Sequence, residues 1–280
     1  MVIRKSSLLI LSVFFFFSLQ GVVAAEDTRA SKIDKIGVQL YTLRDEAKKD
    51  LENVLNQITL MGYEQVELHT LYDLSAGKLK LLLDKYRIDA YATHRSYSLI
   101  KEDIQGTLSD ARILGLDYVI IPWLDIKEYN TKEKWEAFSQ DLNRIGKIFK
   151  AHDVTLAYHN HAFEFEALAD GSLPYDILLK NTDPKYVAMQ LDLFWIIQAG
   201  KDPISYIENN SGRIISVHIK DMKKDGSMTE VGAGEIDFKK ILKVARKHGL
   251  KYYIVEHDKP ANAFESVKTS YDYLKTMELN

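Results

Sequence analysis

Six of the eight histidines in this 280-residue chain fall at or near the ends of short β-rich runs, and carboxylates fall at the same places. Taken run by run, these ends offer Gln39 and Tyr41, Glu67 and His69, His94 and Arg95, then His159, His161 and Glu164. Later runs add Asp192, then His218, Lys220 and Asp221, and finally Glu256, His257 and Asp258. A lone histidine at such a place is most often a hydrogen-bonded structural residue; the set carries the signal. Asp192, His218 and Glu256 come from three consecutive runs at corresponding depths, so their side chains can meet at one rim. Two carboxylates and an imidazole suit one divalent ion of the Mn²⁺, Co²⁺ or Zn²⁺ kind. Without an ion, Asp192 and Glu256 are neighbouring like charges that repel, unless Lys220 pairs with them.

The chemistry that such a set can do is carbonyl–enol interconversion. A proton beside a sugar carbonyl is weakly acidic, and a divalent ion holding the enediolate oxygens stabilises the charge that its removal creates. Histidine titrates near neutral pH and is suited to take that proton, which makes His159 and His161 the candidate bases. Lys220 or Glu67 then handles the departing or returning proton, and Gln39, Glu67 and His94 hold hydroxyls. Returning the proton gives an isomerase or epimerase; losing a substituent gives a lyase.

The elements that must position these residues alternate along the chain. The runs IGVQLY (36–41), YEQVEL (63–68), AYATH (90–94) and YVIIP (118–122) read as strands, as do TLAYHNH (155–161), VAMQLDL (187–193), IISVHIK (214–220) and YYIVE (252–256). Amphipathic helical spacing separates them: Leu51, Val54, Leu55 and Ile58 share a face, and so do Trp135, Phe138, Leu142, Ile145 and Phe149. The last helix is expected to bury Phe264, Val267, Tyr271 and Leu274. Gly62 and Gly115 stand where helices should end. Eight strand–helix units in about 250 residues are the count and length of a single-domain (β/α)₈ TIM barrel, whose catalytic groups lie at the strand ends. An open doubly wound sheet would carry a glycine-rich phosphate turn after an early strand, and neither IGVQLY nor YEQVEL is followed by one.

Composition narrows the classes further. There is no cysteine, which excludes disulfides, thiolate ligands and a cysteine nucleophile. Basic and acidic residues number 37 and 40, giving a formal net charge of -3, so nothing suggests a surface for nucleic acid. Arg4 and Lys5 precede an apolar run from Leu8 to Phe17, and small residues follow up to Ala25. That order describes a secretory signal peptide over 1–25, with the barrel domain over 26–280. The expected setting is periplasmic or secreted, without stable membrane insertion after cleavage, and a homo-oligomer is compatible with it.

Four stretches resemble the xylose isomerase-like TIM barrel superfamily, commonly labelled sugar phosphate isomerase/epimerase. They are LDLFW (191–195), SVHIKD (216–221), VGAGEIDF (231–238) and IVEHD (254–258), and the likeness extends over nearly all of the chain after the leader. The resemblance implies that Asp192, His218 and Glu256 ligate one metal. Family members usually add a glutamate at the end of strand five, where this chain has His159 within the exported branch's HNHxxEF pattern (159–165). The fourth ligand is then Glu164, which would bring a third carboxylate, or His159, which holds the strand position. Trp195 stands where related sequences often carry a histidine, and its indole can floor a sugar ring or pack in the core. Neighbouring branches isomerise, epimerise or eliminate. An exported location favours a free keto sugar or a 3-keto-glycoside over a sugar phosphate. Rival readings are a non-catalytic sugar-binding barrel and a metal-free glycosidase using Glu67, Glu164 and Glu256. N-terminal sequencing of the exported protein is expected to begin at Glu26; a chain retaining residues 1–25 would remove the cleaved-leader expectation.

Overall fold

The computed structural model describes residues 32–280, so the expected leader over 1–25 lies outside the described residues. Eight parallel strands close a barrel in the order β1 (Ile36–Gln39), β10 (Tyr252–Val255), β7 (Ile214–Ile219), β6 (Val187–Asp192), β5 (Thr155–His159), β4 (Tyr118–Ile121), β3 (Asp89–His94) and β2 (Gln65–Leu68). A two-residue hairpin, β8 (Asp221–Met222) with β9 (Met228–Thr229), sits above the end of β7. The (β/α)₈ expectation holds. Each expected strand is present, most of them trimmed at the C-terminal end, because the chain turns into loop or helix as soon as it delivers its polar residue.

The helical layer comprises α1 (Arg44–Met61), α2 (Ala76–Lys85), α3 (Tyr97–Glu102), α4 (Ile104–Leu114), α5 (Lys132–Lys150) and α6 (Pro174–Asn181). It continues with α7 (Leu193–Gln198), α8 (Pro203–Asn209), α9 (Phe238–Lys247) and α10 (Ala263–Leu274). Gly62 and Gly115 close α1 and α4 in the left-handed region at φ 109° and 74°, where a side chain would be strained. Of the four residues expected to be buried on α10, Val267 and Leu274 are buried, while Phe264 and Tyr271 pack against the core only in part.

Strand periodicity sorts the residues into two sets. Outward residues such as Leu156, Tyr158, Met189, Leu191, Val217, Ile219 and Val255 join the main core between barrel and helices. Inward residues low in the barrel form a second, smaller cluster of Tyr91, Ala92, Tyr118, Ile120, Ala157, Ala188, Ile215 and Ile254. Gly37 faces the same lumen, and a Cβ there would lie 2.6 Å from Ile254 Cδ1. Small residues and interdigitated rings thus fill the lower lumen and leave its C-terminal end to polar groups, as a packed TIM barrel requires.

Candidate active site

Along β1, β3, β5, β6 and β10, two residues above Gly37, Ala92, Ala157, Ala188 and Ile254 stand Gln39, His94, His159, Gln190 and Glu256. Glu67 on β2 is the centre of this polar layer and is fully buried. Gln39 Nε2 donates to Glu67 Oε1 at 2.6 Å, and His218 Nε2 lies 2.8 Å from the same oxygen. His94 Nε2 is 2.7 Å away from it as well. The second oxygen, Oε2, accepts from Gln190 Nε2 at 2.6 Å and from the Tyr91 hydroxyl. Burial would raise the Glu67 carboxyl, but the facing His94 and His218 imidazoles hold it well below the usual carboxylate range.

This arrangement corrects the expected roles of two residues. Gln39 and Glu67 were candidates to hold substrate hydroxyls; both have no exposed surface, and their polar atoms are engaged with each other, with Tyr41 N and with the network. They support the site from below. Glu67 therefore has no free oxygen for a proton in transit either. His94, 10% exposed in its side chain, also has Nε2 3.0 Å from Gln190 Oε1.

Above Glu67 the rim residues converge. Ligand atoms of Asp192, His218 and Glu256 all lie within 4.8 Å of one another. His218 Nδ1 is 2.7 Å from Glu256 Oε2 and 3.9 Å from Asp192 Oδ2. His218 Nδ1 and Asp192 Oδ2 are buried and have no geometrically good hydrogen bond among the described residues, although Glu256 and Lys220 lie against them as ion-pair partners. Buried polar atoms left unmade in a native site call for a ligand, water or ion. Two oxygens and one nitrogen aimed at a shared point fit a divalent cation. His159 adds to this point, with Nε2 3.7 Å from Asp192 Oδ2. Its Nδ1 is 3.0 Å from Gln190 Oε1, and that carbonyl can only accept, so the proton sits on Nδ1 and Nε2 carries the lone pair.

Glu164 does not join them. It lies in the short 3-10 turn Phe163–Phe165, where Oε1 accepts from the Tyr158 hydroxyl at 2.7 Å and Oε2 from His161 N at 2.7 Å. Burial pushes its carboxyl up to about 8. Of the two residues expected as alternatives for a fourth ligand, Glu164 here braces the turn after β5, while His159 Nε2 lies beside Asp192.

Lys220, 2% exposed, places Nζ 2.9 Å from Asp192 Oδ2, 2.7 Å from Glu256 Oε2 and 2.7 Å from Asp258 Oδ1. Burial would lower this amine, but the three carboxylates keep it well above the ordinary lysine value. Burial raises Asp192 to about 6, a rise that Lys220 and His218 limit. His218, which burial would lower, is held up at about 10 by Glu67 and Glu256. His161 lies just past β5; burial brings it down to about 3, and its Nδ1 has no partner among the described residues. Its ring packs 5.5 Å from Trp195 and 6.0 Å from Phe163. Trp195 is part-buried on α7, whose N-cap is Asp192 itself, with Trp195 N donating to Oδ1 at 3.1 Å.

Three supporting residues escaped the strand-end reading: Gln190, Ser216 and Tyr91. Gln190 Nε2 also lies 2.9 Å from Ser216 Oγ and 3.0 Å from the Tyr91 hydroxyl, which share its second hydrogen. The signal was present, since Gln190 and Ser216 stand two residues before Asp192 and His218 and so share their faces. The VGAGEIDF segment has a structural explanation: Asp221 accepts from Met222, Gly232, Gly234 and Ile236 backbone N–H groups at 2.8–3.2 Å. A Cβ on Gly234 would lie 2.3 Å from Asp221 Oδ1, so the glycine admits the carboxylate and the loop is tied beside the barrel mouth.

Fold and site together define a TIM barrel with a mixed carboxylate–imidazole centre at its C-terminal rim. The family model described as xylose isomerase-like TIM barrel matches residues 55–277, and the chain belongs to that family. Among curated proteins, an inosose dehydratase of Clostridium beijerinckii is 22% identical over 266 residues, covering 80% of this chain and 88% of that one. A sugar phosphate isomerase/epimerase crystal structure from Parabacteroides distasonis superimposes with a TM-score of 0.78 at 26% identity, over 93% of this chain and 98% of that one. The zinc-binding IOLI protein gives a TM-score of 0.67 at 20% identity, over 85% and 95% of the two chains.

Replacing Glu67 by alanine strands several buried donors and the charged His218 together, a loss expected to lower unfolding free energy by about 3–5 kcal/mol. Urea titration of the variant measures it; stability within error of the parent would show that Glu67 is not the hub.

Proposed function

We propose that this chain is an exported, divalent-metal-dependent enzyme that removes a proton next to the carbonyl of a keto sugar or 3-keto-glycoside. One observation carries the reading: ligand atoms of the buried Asp192, His218 and Glu256 all lie within 4.8 Å of one another. With His159 Nε2 they make a two-imidazole, two-carboxylate set. A bound ion of the Mn, Co or Zn type supplies Lewis-acid stabilisation of the oxyanion. The zinc held by the IOLI protein supports such an ion.

The remaining residues then take separate tasks. His159 is committed as a ligand by its tautomer, which leaves His161, with a free Nδ1, as the base for the carbon-bound proton. Lys220 stays protonated among its carboxylates and can give a proton to an oxygen that departs or to one that gains charge. Trp195 and His94 bound the space above the centre and orient the sugar. The C–H electron pair released by deprotonation either recaptures the proton, giving the epimer, or forms a C=C bond while the substituent on the next carbon leaves with its bonding pair. Elimination is the outcome favoured by the dehydratase relatives, because a dehydratase releases water.

Two measurements test this. The mature protein is expected to hold about one Mn, Co or Zn per chain, as suits mixed imidazole and carboxylate ligands, and Asp192→Ala to lose it in elemental analysis. A metal-free parent after incubation with excess ion would bring forward the binding-barrel and metal-free glycosidase readings. Incubation with a 3-keto-glycoside is expected to release the aglycone; finding only the epimer would replace the lyase outcome with the epimerase one.

A further inference from the structure

Lys220 touches two oxygens that the centre needs for its ion. Its Nζ lies 2.9 Å from Asp192 Oδ2 and 2.7 Å from Glu256 Oε2, and both residues belong to the convergent ligand group. The third partner differs in kind. Asp258 Oδ1, 2.7 Å away, is the one that accepts a well-aligned hydrogen bond from Nζ. Asp258 also has a quarter of its side chain exposed, whereas Asp192 is fully and Glu256 nearly fully buried.

We infer that Lys220 is the resident cation of the metal-free centre, and that metal loading moves its ammonium off Asp192 and Glu256 and leaves it on Asp258. The inference rests on the metal reading above. A buried pair of carboxylates facing each other without a cation would repel, so the metal-free fold needs a positive charge there and Lys220 provides it. An ion within reach of the same two oxygens puts a double positive charge beside a buried ammonium, where little water screens the repulsion. The ammonium then follows the path of least electrostatic resistance, towards the more exposed Asp258.

The geometry also provides a reporter. Lys220 Nζ sits 5.9 Å from the centre of the Trp195 ring, close enough for the cation to act on the indole. A shift of the ammonium therefore alters the emission of that tryptophan.

The test is zinc titration of the mature chain and of Lys220→Met, followed by calorimetry and by tryptophan emission. Removing the competing charge is expected to tighten zinc binding by about tenfold or more. Zinc should change the emission of the parent, and that change should vanish in both Trp195→Phe and Lys220→Met. Equal zinc affinities together with an unchanged Trp195 signal overturn the displacement and leave the metal reading standing. Zinc uptake by neither folded protein removes the metal reading, and the displacement with it. If Lys220→Met does not fold, the comparison of the parent with Trp195→Phe decides: a zinc-induced change that persists without the residue-195 indole, or no change at all, overturns the inference.

Discussion

A carboxylate buried in the lumen of a barrel is tolerable only when its charge and its lone pairs are met from all sides, and Glu67 sets that requirement here. The two oxygens are met from β1 by Gln39, from β3 by His94 and Tyr91, from β6 by Gln190 and from β7 by His218. Parallel strands hydrogen-bond only to their neighbours, so this network is what joins β2 to strands on the opposite wall. It also fixes the imidazole of His218, because one ring nitrogen faces Glu67 and the other is thereby presented to the rim. Gln190 performs the same service for His159: its amide nitrogen is spent on Glu67, so its carbonyl oxygen must take the His159 Nδ1 proton. Orientation of the rim groups is inherited from a layer that never meets solvent.

Above that layer, charge balance governs the site. Asp192, Glu256 and Asp258 gather around one lysine, and His218 stands between Glu67 and Glu256. Such a cluster needs a positive charge among its carboxylates, and Lys220 supplies one. The backbone is held independently, by Asp221 on its four amides and by Glu164 on the turn after β5.

Two residues show how far pattern reading reaches into the site. Asp192 and His218 were legible because a strand that ends in a polar residue after alternating apolar ones can only be delivering it to a rim. Charge counting favours Glu164 as a third carboxylate, and nothing in the order of residues tells that the turn Phe163–Phe165 folds its carboxyl back onto Tyr158. Gln39 and Glu67 are legible as polar residues at strand ends, yet depth within the lumen depends on strand stagger around the whole barrel. Stagger is set by pairing between strands around the ring, such as Gln39 beside Glu67 and Asp192 beside His218, and by closure of β1 on β10.

The order of residues by itself determined the eight-fold alternation, the inward column of polar groups and the absence of thiol chemistry, since each follows from local periodicity or composition. Tertiary structure decided which of those polar groups meet: that Glu67 is a buried hub, that His159 lies beside Asp192 while Glu164 turns to Tyr158, and that Lys220 lies across Asp192 and Glu256. These are distances between strands far apart in the chain, and they come into being only when the barrel closes.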